Sequence, residues 1–292
     1  MAKVLDELVQ LLALERIEED LFRGQSQDLG WGTVFGGQVL GQALSAAAQT
    51  VPTDRFAHSL QAYFLRPGDV SRPVVYDVDR IRDGSSFTTR RVVAIQAGRA
   101  IFNLAASFQK LEPGFEHQTT MPDVPKPDAV LTEREHYEKF GERARRWQKR
   151  AEGRPFEIRP INPSDDPIHP SPQEPVRRMW MRAIGELPDN PSLHACLLAY
   201  ASDFAFITTA LLPHGVTGQT PGMQVASLDH VMWFHRPFRV DQWLLYDVDS
   251  PAASGARGLV RGGVYTESGQ LVVTTAQEGL TRMRKPQDSP KG

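Results

Sequence analysis

The hydrophobic pattern of this chain runs through the same order twice. In the first third, Leu8, Leu11 and Leu12 share one stripe, which predicts a short leading helix over residues 6–14. Residues 17–22 read as a strand, and the glycine-rich polar stretch 24–37 as a loop. The alanine-rich run 38–50 then predicts a helix. Four strand-like runs follow, at 57–65, 74–82, 86–96 and 100–109, separated by Arg66-Pro67-Gly68, Asp83-Gly84 and Ala97-Gly98, which is turn chemistry. The second half repeats this order. A strand at 176–184 and one long apolar helix at 192–212 precede strands at 225–235, 243–249, 256–266 and 271–281. A helix apolar on every side has to be buried, here inside an antiparallel meander of five or six strands. The expected class is α+β.

The repetition extends to identity. Residues 64–79 and 234–249, offset by 170, agree at eight of sixteen positions, including Arg66/Arg236, Pro67/Pro237 and the whole of Tyr76-Asp77-Val78-Asp79 against Tyr246-Asp247-Val248-Asp249. Unrelated segments of that length would share about one position, so the chain is an internal duplication. Two copies and no more fit, which excludes a solenoid array. The expected layout is a first domain over 1–111, a connector over 112–175 and a second domain over 176–285.

Eleven of the 22 prolines fall in the connector, together with a charged stretch at 133–154. That composition predicts one amphipathic helix flanked by extended chain. The basic run 143–150 follows Glu133, Glu135, Glu138 and Glu142, so it reads as a solvated helix face and not as a nucleic-acid patch. A net charge of −2 likewise gives no reason to expect nucleic acid or a membrane surface as partner. The acidic N-terminal segment lacks a signal-peptide pattern, the closing DSPKG matches no anchoring signal, and no apolar run suggests a membrane span. The single cysteine, Cys196, excludes an internal disulfide and reads as a buried small residue. A cytoplasmic location is the expectation.

The polar differences between the copies carry the chemistry. Ser227 has Ala57 as its counterpart 170 residues earlier, and Gln277 has Ala106 at the later offset of 171. Both lie in strand runs, where an unpartnered polar side chain costs about 1–3 kcal/mol. Asp203 sits inside the apolar helix pattern of the second copy, while residues 38–50 of the first copy hold no carboxylate. Two readings are open: a structural polar cluster, or a carboxylate base with a hydroxyl and a carboxamide that orient water. No histidine lies within five residues after Asp203 and no G-x-S-x-G surrounds Ser227, so a serine nucleophile lacks support. Water attack suits a thioester, whose thiol has a pKa near 8.5 and leaves without a strong acid.

At these residues the chain resembles the acyl-CoA thioesterase II (TesB-type) family, a double hotdog. The resemblance spans nearly the whole chain and rests on VFGGQVLGQAL, HSLQAYFLRPGD, YDVDRIRDGSSFTTRRVVAIQ, ASFQ, LAYASDFAF, MQVASLDHVMWFHRPF and AQEG. It implies two tandem antiparallel sheets, each wrapped around a long central helix. It also implies fatty acyl-CoA as substrate, no metal, no bound cofactor, and a homo-oligomer of two or more double hotdogs. The family's Asp–Thr/Ser–Gln triad maps onto Asp203, Ser227 and Gln277.

Candidate substrate-binding residues follow from the same motifs. Arg82, Gly84, Ser85, Ser86, Arg90 and Arg91 offer cations and turn amides for CoA phosphates, or form an ordinary hairpin. Gly36 and Gly37 place a helix N-terminus where thioester oxygen or phosphate can approach, or simply allow tight packing. Trp31 lines an acyl channel or caps a core, and His58 is either a base or a structural histidine. His230 and His235 read as packing or hydrogen-bonding residues. The alternatives in function are an acyl-CoA-binding protein without turnover and a hotdog enoyl-CoA hydratase. The hydratase pattern has an Asp followed five residues on by His, and Thr208 stands there instead.

Overall fold

In the computed structural model, which describes residues 2–284, the two copies join into one antiparallel sheet. Residue 285 and the closing DSPKG lie outside the described residues. Helix α1 (Ala2–Leu12) begins four residues earlier than its leucine stripe suggested, because Leu5 completes the buried face with Leu8 and Leu12 while Leu11 stays half-buried. The run read as one strand at 17–22 is a hairpin, β1 (Glu15–Glu18) and β2 (Leu21–Gly24), turning at Glu19-Asp20. Then come α2 (Gly36–Ala48), β3 (Arg55–Phe64), β4 (Val74–Asp83), β5 (Phe87–Gln96) and β6 (Arg99–Lys110).

The connector is more structured than its composition suggested. It forms two short helices, α3 (Glu133–Glu138) and α4 (Arg145–Glu152), and a strand, β7 (Phe156–Pro160), that pairs with β8 (Val176–Ala183) at the sheet edge. Thr132 opens α3 with a reciprocal capping box to Glu135. Its proline-rich start crosses the outer face of the second copy. There Trp180 donates its indole N–H to Pro125 O, and Trp180, Leu245 and Tyr265 pack with Met121 and Val124 as a second small core.

The second copy continues with α5 (Pro191–Ser202), β9 (Met223–Ser227), β10 (Asp229–Phe234), β11 (Leu244–Ser254), β12 (Arg257–Thr266) and β13 (Leu271–Met283). The strand order is β1-β2-β4-β5-β6-β3-β10-β13-β12-β11-β8-β7, with β9 also on β13. The copies meet where β3 pairs with β10. Gln61 lies opposite Val231, its own counterpart, so a pseudo-twofold axis passes between them.

The inner face of the sheet holds α2 and α5 side by side. A Cβ added at Gly37 would stand 2.2 Å from Tyr200 O, and one at Gly41 would stand 3.0 Å from Cys196 O. Those two contacts run the helices antiparallel at a spacing that only glycine permits. The start of α2 therefore abuts the end of α5, and the reverse holds at the far end. Asn190 caps α5 by accepting from Leu193 N–H, with Pro191 in the first turn.

The long helix expected at 192–212 is broken at its middle. Asp203 caps α5, Ala205 takes a left-handed φ of 56°, and a 3-10 helix spans Ile207–His214. The cause is on the sheet. Cβ atoms added at Gly258 and Gly279 would meet Ala210 and Ile207 at 2.5 and 2.4 Å, so the chain turns out of the helix to dock on those glycines. Residues 191–214 are apolar and long enough in composition to cross a bilayer, but most of their surface is buried inside this fold.

Candidate active site

The break in the second helix sets Asp203 at a bend, facing the first turn of α2 from the other copy. Ser227 ends β9 at the point where Leu228 bulges out before β10, and Gln277 lies on the inner face of β13, 1% exposed. The structure brings the three together. Asp203 Oδ1 accepts from Gln277 Nε2 at 3.0 Å and from Ser227 Oγ at a loose 3.4 Å. The first turn of α2, at Gly36 and Gly37, faces the same carboxylate, and the Gly37 amide favours its ionised form. Gly36 leaves room for it, since a Cβ there would come within 2.7 Å of Asp203 Oδ2.

Asp203 retains some contact with solvent, but the surrounding protein strips most of its hydration. That desolvation pushes its pKa up to about 6, against the pull of the hydrogen bonds from Gln277 and Ser227 and of the nearby Gly37 amide. A carboxylate with that pKa is a stronger base than an exposed one and is still ionised at neutral pH. Gln277 Oε1 is buried and has no hydrogen-bond partner. A buried acceptor left without a donor costs about 1–3 kcal/mol.

Aromatic side chains wall this end, and the sequence pattern did not single most of them out. Phe35 stacks on Phe204 at 4.8 Å and meets Tyr200 and Trp31 edge-on, both at 5.2 Å. Trp31 thus belongs to the site's rim. The connector returns over it, with Arg150 above the Trp31 ring and Arg154 above Phe204. The basic run is therefore more than a solvated face. The available signal was that Phe35 directly precedes the glycine pair and Phe204 directly follows the aspartate.

The other candidates lie elsewhere. His58 is the bulge residue of β3, bonded through Nε2 to Ser107 Oγ at 2.8 Å, at the opposite end of the helix pair. The hairpin candidates belong to that end too. Ser85 O accepts from Arg55, Ser86 Oγ donates to Glu112, and Gly84 sits in the β4–β5 turn. Arg90 is 1% exposed and saturated by Thr50, Asp83 and backbone carbonyls, so it is not free for phosphates. Arg91 pairs with Asp79 across the exposed face and Arg82 lends its carbonyl to Arg90. His230 is buried against Ser202, with its pKa pushed down to about 3, and His235 bonds Thr274. Among the described residues no group of three or more His, Cys, Asp or Glu is placed to hold a metal ion.

Comparison with known proteins agrees across the whole chain. A family model described as acyl-CoA thioesterase matches residues 169–280, and one described as acyl-CoA thioesterase N-terminal domain matches 26–109. The chain is 45% identical to acyl-CoA thioesterase 2 of Haemophilus influenzae, covering 97% of this chain and 99% of that one. It is also 45% identical to human acyl-coenzyme A thioesterase 8, covering 96% and 89%. Among solved structures it is similar to the acyl-CoA thioesterase II TesB2 of Mycobacterium marinum, at 40% identity and a TM-score of 0.79, over 95% of this chain and 99% of that one.

Proposed function

The chain belongs to the acyl-CoA thioesterase family of double-hotdog hydrolases, and we propose that it cleaves fatty acyl-CoA by attack of a water molecule that Asp203 deprotonates. The observation that carries this reading is the convergence of two donors on one desolvated carboxylate: Asp203 Oδ1 accepts from Gln277 Nε2 at 3.0 Å and from Ser227 Oγ at 3.4 Å. A water that donates a proton to Asp203 there has the Ser227 hydroxyl and the Gln277 amide as neighbours.

The chemistry then balances in few steps. The water oxygen bonds to the thioester carbon as its proton passes to Asp203. The tetrahedral intermediate collapses, the C–S bond breaks, and the thiolate takes the proton back from Asp203. The products are the free acid and CoA. The first-turn amides of α2 lack helical partners. The Gly36 and Gly37 N–H groups at that turn are the donors available to the developing oxyanion.

A homo-oligomer, dimer or tetramer, fits the outer face of the sheet. Tyr63 and its counterpart Trp233 stand exposed there beside the pseudo-twofold axis, a surface suited to packing against a second copy. A reducing cytoplasm suits Cys196, which is buried with its thiol pushed up to about 12. Light scattering of the purified protein tests the assembly.

The mechanism is tested by thiol release from a panel of acyl-CoAs, wild type beside Asp203→Asn. Loss of turnover by about a thousandfold, with acyl-CoA still bound, is the expected result. Full activity in the variant would put the chemistry elsewhere, and binding without turnover in the wild type would leave a binding module.

A further inference from the structure

At the far end of the helix pair the fold makes a hollow of about 210 Å³, and several of its walls are the counterparts of residues at the Asp203 site. Ala57 of β3 stands where Ser227 stands. Pro191 and Ser192 open α5 as Gly36 and Gly37 open α2, and Phe234 follows the register of Phe64. The base is missing. Ala57 and Ala106 replace Ser227 and Gln277, and the end of α2 opposite Pro191 is alanine at 46–48 where α5 ends in Asp203.

What remains is a lining that suits one kind of molecule. Phe56, Phe234, Phe238 and Leu111 supply apolar wall, and Lys110 and Arg236 stand among them as cations. Lys110 is held at 3.0 Å by the exposed Asp54; Arg236, largely buried, donates to Leu271 O at 3.0 Å and reaches the exposed Glu116 at 3.5 Å, so neither cation is locked to a buried carboxylate. His58 and His235 add imidazole rings, each already bonded through Nε2 to a hydroxyl at 2.8 Å. The one carboxylate of the lining, Glu112, is engaged by Ser86 Oγ at 3.1 Å.

We propose that this hollow is a second acyl site that binds a free fatty acid without chemistry, chain against Phe234 and Phe238, carboxylate toward Lys110 and Arg236. The ligand class rests on the reading of the chain as an acyl-CoA hydrolase. The duplication supplies the shape, the alanines remove the means of activating water, and the two cations favour a single carboxylate head.

The test uses dodecanoate labelled with carbon-13 at its carboxyl carbon, titrated onto the full-length protein and followed by NMR. The wild type is expected to show two bound resonances, one per copy. Ala57→Trp fills the hollow and abolishes one of them, while acyl-CoA hydrolysis, which also reports correct folding, stays within about twofold of wild type. Lys110→Glu, an exposed change that spares the fold, weakens that same resonance by about tenfold or more. Two resonances unchanged in both variants, or a wild type with no more than one, would overturn the proposal. If Ala57→Trp fails to fold, Lys110→Glu decides alone. Failure of the Asp203 mechanism shows separately, as turnover retained by Asp203→Asn, and leaves the resonance count untouched.

Discussion

The two ends of the paired helices are built alike and equipped differently. At one end Asp203, Ser227 and Gln277 converge on the first turn of α2; at the other Ala57 lines the hollow at the first turn of α5, and alanines stand at 106 and 46–48, the counterpart positions. Gly36 and Gly37 at the equipped end give way to Pro191 and Ser192 at the plain one. The duplicated fold supplies a walled helix terminus twice, and three polar side chains plus a break in one helix convert a single copy into a reaction site. The break matters as much as the residue types. In a continuous helix Asp203 would keep the axial path of α5, whereas the turn toward Gly258 and Gly279 makes it the cap of that helix, against Gly36.

Substitutions that erase the difference should erase activity in a definite order. Below the loss set for Asp203→Asn comes Gln277→Ala, expected to lower kcat by about a hundredfold in a thiol-release assay, while the reciprocal Ala106→Gln leaves kcat within about twofold. Gly36→Ala places a methyl 2.7 Å from Asp203 Oδ2, so the carboxylate must move. About thirtyfold loss in kcat is expected, because a shift near 1 Å can cost up to about a hundredfold. Ser227→Ala should cost about tenfold, since its bond to Asp203 is already long at 3.4 Å, and Ser227→Thr should cost little.

The pH dependence sharpens the same contrast. Protonation of Asp203 removes the base, so kcat/KM should fall about tenfold per pH unit below about pH 6. The sign for stability is opposite. A carboxyl whose folded pKa lies above its unfolded value binds more protons in the native state, so its contribution is largest below the unfolded value near 3.8 and is lost as pH rises through about 6. Asp203→Asn should therefore melt a few degrees higher than wild type at pH 8, with the gap closing at pH 5 in thermal scans.

Much of this was legible in the sequence. The succession of helix and strands in each copy, the apolar second helix and the three polar departures at 203, 227 and 277 follow from periodicity and duplication. The helix break was not, because residues 192–212 are apolar on all faces and the reason for the turn lies in glycines of β12 and β13 more than 50 residues away. The hairpin at Arg82–Ser86 carries attractive chemistry but belongs to the other end, since antiparallel pairing sends the turn beside β6 and not toward β13. Arg90 looked like a phosphate ligand, and its burial under Thr50 shows how a cation in a strand can serve packing alone. Strand β7 and the return of Arg150 and Arg154 over the aromatic rim depend on long-range packing that a proline-rich composition does not encode.

Water attack under Asp203 is the central claim, and single-turnover hydrolysis of an acyl-CoA in oxygen-18 water tests it most directly. Mass spectrometry of the released acid and of the peptide bearing Asp203 reads where the label goes. The account predicts one heavy oxygen in the acid and none in Asp203. Label in the Asp203 carboxylate would mean that the side chain itself attacked the thioester, and would contradict it.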